Sequence, residues 1–205
     1  DMEGLTRVGD TYYALRSDGL VYSLNLGTGA VVVRDTFRLE IPEHNIEGLG
    51  YDEKRKLILV SPKDITKGAP ELRDRRVIRT YDPATRAMTV EPALTLSLAS
   101  IISQARKAGF SVPTRTTDNG RVVPALKLRF SSVAIDPVSD HYYILSAVDR
   151  TLLVVDRQGM LVALHLLNET LFPKPEGITF LPSGSLLISN EGKGTAPNLL
   201  RFERH

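Results

Sequence analysis

Apolar residues in this chain come in short runs separated by turn residues. "MEGLTRVGDTYYALRS", from Met2, shows the plan: a small-residue start, a short apolar stretch, a Gly-Asp turn, then a second apolar stretch ending on a small polar residue. "IEGLGYDEKRKLILVS" from Ile46, "FSSVAIDPVSDHYYILS" from Phe130 and "PEGITFLPSGSLLIS" from Pro175 repeat it. A third run follows each: "GLVYSLN" (19–25), "RVIRTYD" (76–82), "TLLVVD" (151–156) and "NLLRFE" (198–203). Three of these lead through "LGTG", "PATR" and "RQG" into a fourth run: "AVVVRDTFRLE", "AMTVEPALTL" and "MLVALHLL". Runs rich in β-branched and aromatic residues, split by turn residues, predict antiparallel strands.

The plan recurs at a steady interval. Glu3 and Glu47 are 44 residues apart, Ser131 and Glu176 are 45 apart, and Glu47 to Ser131 spans 84. Four strands per roughly 42 residues is the size of a β-propeller blade. The predicted fold is therefore an all-β propeller of four-stranded antiparallel blades, five or six when complete, in one domain over 1–205. Blades are expected at 1–45, 46–92, 129–172 and 173–205. Between the second and third, "LSLASIISQARKAG" places Leu98, Ile101, Ile102 and Ala105 at helical spacing, with Gly109 to stop it. Residues 93–128 read as a helical insertion that should sit on the channel face; a degenerate blade is the alternative. The chain opens on a first strand and ends after a third. A closed propeller borrows a missing outer strand from its other terminus, so a strand or a blade is expected before Asp1.

Composition narrows the function. Apolar residues make up 42%, and no apolar run approaches the ~18 residues of a membrane helix. Lys plus Arg is 26 against 24 Asp plus Glu, a net charge of +2 without a basic stripe, which argues against nucleic acid. There is no cysteine, so disulfides, thiolate metal sites and cysteine nucleophiles are excluded. The sequence begins at Asp1 without an initiator Met or a signal peptide, so a targeting segment would lie outside it.

The repeated segments "EGLTRVGDTYYAL", "EGLGYDEKRKLILVS", "SSVAIDPVSDHYYILSAVDRTLLVVDRQG" and "PEGITFLPSGSLLISNE" resemble the SdiA-regulated family of bacterial cell-envelope propellers. More distantly the chain is similar to phytase-like and gluconolactonase-like propellers. The resemblance implies an exported, periplasmic or outer-envelope protein with a link to calcium. Ser131-Ser132 stands where the other repeats have Glu-Gly, so the acidic ring it implies is incomplete.

Antiparallel strands put the start of each first strand and the end of each second strand on one face. Glu3, Glu47 and Glu176 are expected there with Glu191, as are Arg16, Lys63, Asp64, Asp149 and Asn190. Leu5, Leu49, Val133 and Ile178 are expected between blades. Three readings of the glutamates stay open. They accept backbone hydrogen bonds where blades meet; or, with Asn190, they are oxygen ligands for Ca²⁺; or one is a general base beside a metal. His44, three residues before Glu47, is the best imidazole base candidate; no histidine pair has metal-ligand spacing. Gly4, Gly48 and Gly177 are expected where backbones pass closely. The long charged loop Pro62–Arg75 is a candidate lid or partner contact. The expected function is a monomeric binding or scaffold protein, taking a small-molecule or protein ligand at the channel face, with Ca²⁺ as candidate cofactor. The rival is a metal-dependent hydrolase of lactonase or phytase/esterase type.

Overall fold

A computed structural model describes residues 1–63, 70–192 and 194–204. The first blade is β1 (Met2–Val8), β2 (Thr11–Arg16), β3 (Leu20–Gly27) and β4 (Ala30–Arg38). The second contains β5 (Ile46–Asp52), β6 (Leu57–Pro62), the short helix α1 (Pro70–Asp74), β7 (Arg75–Asp82), β8 (Ala87–Met88) and β9 (Leu94–Ser97). Helix α2 (Leu98–Lys107) and the hairpin β10 (Thr114–Thr116) and β11 (Val122–Pro124) follow. The third blade is β12 (Ser132–Ile135), β13 (Tyr142–Ser146), β14 (Thr151–Val155) and β15 (Leu161–Leu166); the fourth is β16 (Pro175–Phe180), β17 (Leu186–Asn190) and β18 (Asn198–Phe202). Each blade is an antiparallel meander, and the described residues form four blades of a β-propeller.

The insertion begins later than its sequence suggests. "AMTVEPALTL" is an interrupted outer strand. β8 pairs with the end of β7, the Thr89 amide still donates to Thr80 O, residues 90–93 leave the sheet, and β9 returns to pair with the start of β7, Ile78 opposite Leu94. Pro92 lacks the N–H a ladder needs, consistent with the break. Helix α2 then starts at Leu98, with Ser97 Oγ accepting from the Ser100 N–H as N-cap, and the chain turns at Gly109 with φ +77°. The helix packs beside β9 and β15, not across the channel. Ile101 and Ala105 join Leu59, Ile78, Phe130 and Leu153 in the largest core cluster, filling the wedge between blades two and three. Gln104 Oε1 accepts from the Leu161 N–H at 2.9 Å, fixing the helix to the outer strand of blade three.

First strands pack in sequence: β1 beside β5, β5 beside β12, β12 beside β16. The joint between blades four and one is not packed in this way. Leu49, Val133 and Ile178 are 4%, 0% and 7% exposed, but Leu5, expected in the same packing, is 64% exposed because no neighbouring blade covers it. Two closed joints carry an arginine staple. Asp52 and Asp136, both buried at the ends of first strands, each receive a guanidinium from the following blade: Arg157 Nη1 lies 2.8 Å from Asp52 Oδ2, and Arg204 Nη2 lies 2.6 Å from Asp136 Oδ2. Arg157 also stacks over the Tyr142 ring at 4.5 Å and donates to Asp140.

Candidate functional site at the channel mouth

The glutamates owe their placement to a repeated β-bulge. In blade one Met2 faces Arg16 and Gly4 faces Leu15, leaving Glu3 between two paired positions. Ile46/Pro62 and Gly48/Ser61 do the same around Glu47; Pro175/Asn190 and Gly177/Ser189 do it around Glu176. A bulge re-aims one side chain and bends the strand. In blades one and two the glycine after it is needed for close approach, whereas a Cβ on Gly177 would meet only the Ser189 side chain of its own blade. A Cβ on Gly48 would lie 2.9 Å from Ser131 O and Ser132 Cα of the next blade, and one on Gly4 would lie 2.8 Å from Leu49 N. In blade three Ser131 occupies the glutamate position and its hydroxyl donates to Pro175 O at 3.1 Å, tying two blades together.

The three carboxylates differ. Glu47 is buried, and Lys63 Nζ lies 3.0 Å from its Oε2. Glu176 is half-buried and pairs with Lys174 at 3.4 Å, while the same ammonium also holds Glu191. Glu3 has no hydrogen bond or ion pair among the described residues. Its pKa is raised, first by burial and then by the charge of Glu47, with Glu176 adding to this and Lys63 tempering it. Burial also raises Glu176 above the usual carboxylate range, with Lys174 and Lys63 opposing and Glu47 adding.

The other candidates are engaged in the scaffold. Arg16 chelates Asp18, with donor–acceptor distances of 3.0 and 2.5 Å. Asp149 accepts from the Lys127 and Leu128 amides and from Ser146 Oγ, clamping the segment that leads into blade three. Asn190 is buried; its Nδ2 donates to Asn198 Oδ1, and its Oδ1 has no partner among the described residues. His44 is exposed on the loop before β5. Asp64 and residues 65–69 of the candidate lid lie outside the described residues, and its last part forms α1. Among the described residues no three carboxylate or imidazole groups are gathered as a metal cage requires.

A cavity of about 520 Å³ lies beside Glu3 and Glu176 and reaches into the open joint, where Leu187 and Leu199 of blade four face Leu5 and Ala14 of blade one. A second, of about 710 Å³, shares Leu5, Leu49, Ile178 and Thr179 with it and extends along the first strands. The Lys174 pairing was missed from sequence, although "KPEG" places that lysine two residues before Glu176. Nothing in the sequence sets Leu187 and Leu199 apart from the other apolar residues of second and third strands.

The fold recurs in a solved structure of very different sequence. The chain is similar to the glutaminyl cyclase of Myxococcus xanthus, with 15% identity over 98% of this chain and 71% of that one and a TM-score of 0.55. It is also similar to the Cps50 (Swd1) β-propeller domain of Myceliophteria thermophila, with 14% identity over 93% of this chain and 50% of that one and a TM-score of 0.46. At such identity the first likeness shows the fold alone. No protein-family profile and no curated protein matches the chain.

Proposed function

We propose that this propeller is a binding protein of the bacterial cell envelope whose ligand site is the channel mouth. The observation that carries the binding reading is the pair of bulge-mounted carboxylates, Glu3 of blade one and Glu176 of blade four, that line a cavity of about 520 Å³. That volume lies within the roughly 300–1,000 Å³ typical of small-molecule sites. The envelope location rests on the resemblance of the repeats to the SdiA-regulated family. No helix among the described residues is long and apolar enough to cross a membrane.

Excess negative charge at the mouth favours a cationic occupant. Ca²⁺ is one such occupant if it displaces the lysine ammonium groups and gathers the carboxylates on binding. A ligand that binds only the folded state raises its melting temperature. The test is a thermal melt of metal-stripped protein with and without millimolar Ca²⁺, for wild type and Glu176→Gln. A rise that the variant loses supports a calcium site. No rise in either protein removes Ca²⁺ from the proposal.

A hydrolase is the second reading, favoured by the raised pKa values of Glu3 and Glu176, which make both better proton acceptors than an ordinary carboxylate. Turnover of lactones or phosphoesters that Glu176→Gln abolishes would establish it; no turnover with either class would leave the binding reading.

A further inference from the structure

We propose that the cavity in the open joint takes an organic ammonium carried on an apolar body, with Glu3 as its counter-ion. This inference rests on the channel-mouth reading and names its ligand class.

The lining of the 520 Å³ cavity contains two carboxylates, Glu3 and Glu176, and no lysine, arginine or histidine. Lys63 and Lys174 are engaged by Glu47, Glu176 and Glu191. Glu3 is the one glutamate of the three left without a partner among the described residues. A half-buried carboxylate facing a cavity gains most from a charged donor, and an ammonium supplies three N–H groups.

The remaining wall selects the rest of the ligand. Leu5 and Leu199 are both 64% exposed, an unusual state for residues at blade-packing positions, and Ala14, Ile178 and Leu187 extend the apolar surface between them. A bare metal ion would leave this surface in water. Among the described residues no three carboxylate or imidazole groups gather as a cation cage requires, and the cavity wall supplies two carboxylates, Glu3 and Glu176. An amine with an aryl or alkyl body satisfies Glu3 and covers both leucines at once. Serine hydroxyls and the second carboxylate accept its remaining hydrogens.

The experiment is calorimetric titration with 2-phenylethylamine, with the neutral isostere 2-phenylethanol and with Ca²⁺, on wild type, Glu3→Gln and Leu199→Asn. The amine should bind wild type at least roughly tenfold more tightly than the alcohol, the scale of one charge-assisted hydrogen bond. Glu3→Gln should lose that difference while leaving alcohol binding unchanged, and Leu199→Asn should weaken both. Equal binding of amine and alcohol, or amine binding indifferent to Glu3→Gln, overturns the proposal. Ca²⁺ binding without amine binding overturns it but keeps the mouth as a cation site; binding of neither overturns both. A concentration-dependent dimer that Leu199→Asn disperses, with no amine binding, shows that a second copy covers the leucines and also overturns it.

Discussion

Glu176 and Asp136 respond to acid in opposite directions. Glu176 has a folded pKa above its ordinary value, first because of burial, so the folded state binds its proton more readily than the unfolded chain. Its contribution to stability grows as pH falls from neutral through the raised value towards about 4.5, and is lost again as pH rises. Glu176→Gln should flatten that part of a stability-versus-pH curve measured by urea unfolding. For Asp136 burial alone would raise the pKa, but the Ser139 hydroxyl, the Val138 amide and Arg204 outweigh it and the value is lowered. Asp140, held by Arg55 and then Arg157, is lowered further. Their stabilisation is present above the ordinary aspartate value and lost as pH falls below about 4. Arg157→Ala strips a guanidinium from buried Asp52 and from Asp140 and should cost about 3 kcal/mol in the same assay. The pairing between blades is not legible in the sequence, because Asp52 and Arg157, Asp136 and Arg204, and Arg55 and Asp140 are each more than sixty residues apart. The signal was present: "GYD" and "AID" both close first strands on Asp, and "VVDR" and "RFER" both close third strands on acid-Arg.

Elements obey local rules that the chain states openly. Alternating runs, Gly and Asp turns and the Gly109 stop are legible in the sequence, and each has its physical counterpart in the structure; the Ser97 cap emerges from the structure. Ser97→Ala should cost about 1 kcal/mol, read from thermal unfolding, by removing the N-cap acceptor of α2. What stayed hidden was the bulge. A Glu-Gly pair looks like an ordinary strand start until the register shows the glutamate excluded from the ladder, and register depends on the partner strand. Gly48→Ala tests the close approach. Its Cβ would meet backbone of the next blade at 2.9 Å, so it should destabilise by roughly 1–3 kcal/mol. Gly9→Ala meets nothing within 4 Å, and only its φ of +58° opposes it, so its cost should be nearer 1 kcal/mol. The broken outer strand of blade two escaped for a related reason: its apolar pattern runs on past Pro92 while its pairing does not.

At the scale of the molecule, the joints are unequal. Blades two and three share the largest core and the Asp52–Arg157 staple, and α2 fills their wedge. Blades three and four share Phe172, Ile178 and Ile188 with the Asp136–Arg204 staple. Blades one and two pack Leu15, Leu49 and Val60 but have Val8 and Pro83 where a staple would need Asp and Arg. Native-state hydrogen exchange should therefore find β1 and β18, at the open joint, less protected than β5 and β12 by two orders of magnitude or more. Uniform protection across the four blades would contradict this hierarchy. The periodic apolar pattern made the propeller legible, but a repeat treats its joints as alike, so the exposure of Leu5 could not be read from it.

The staple has a modular consequence. Blade three carries both halves: Asp136 receives an arginine from the blade after it, and Arg157 supplies one to the blade before it. Its two edges are complementary plugs and sockets. A tandem duplication of residues 129–172 would thus create a new joint already wired, with Asp136 of the first copy meeting Arg157 of the second. A gene that grows by copying whole blades would be able to lengthen here without inventing a new contact.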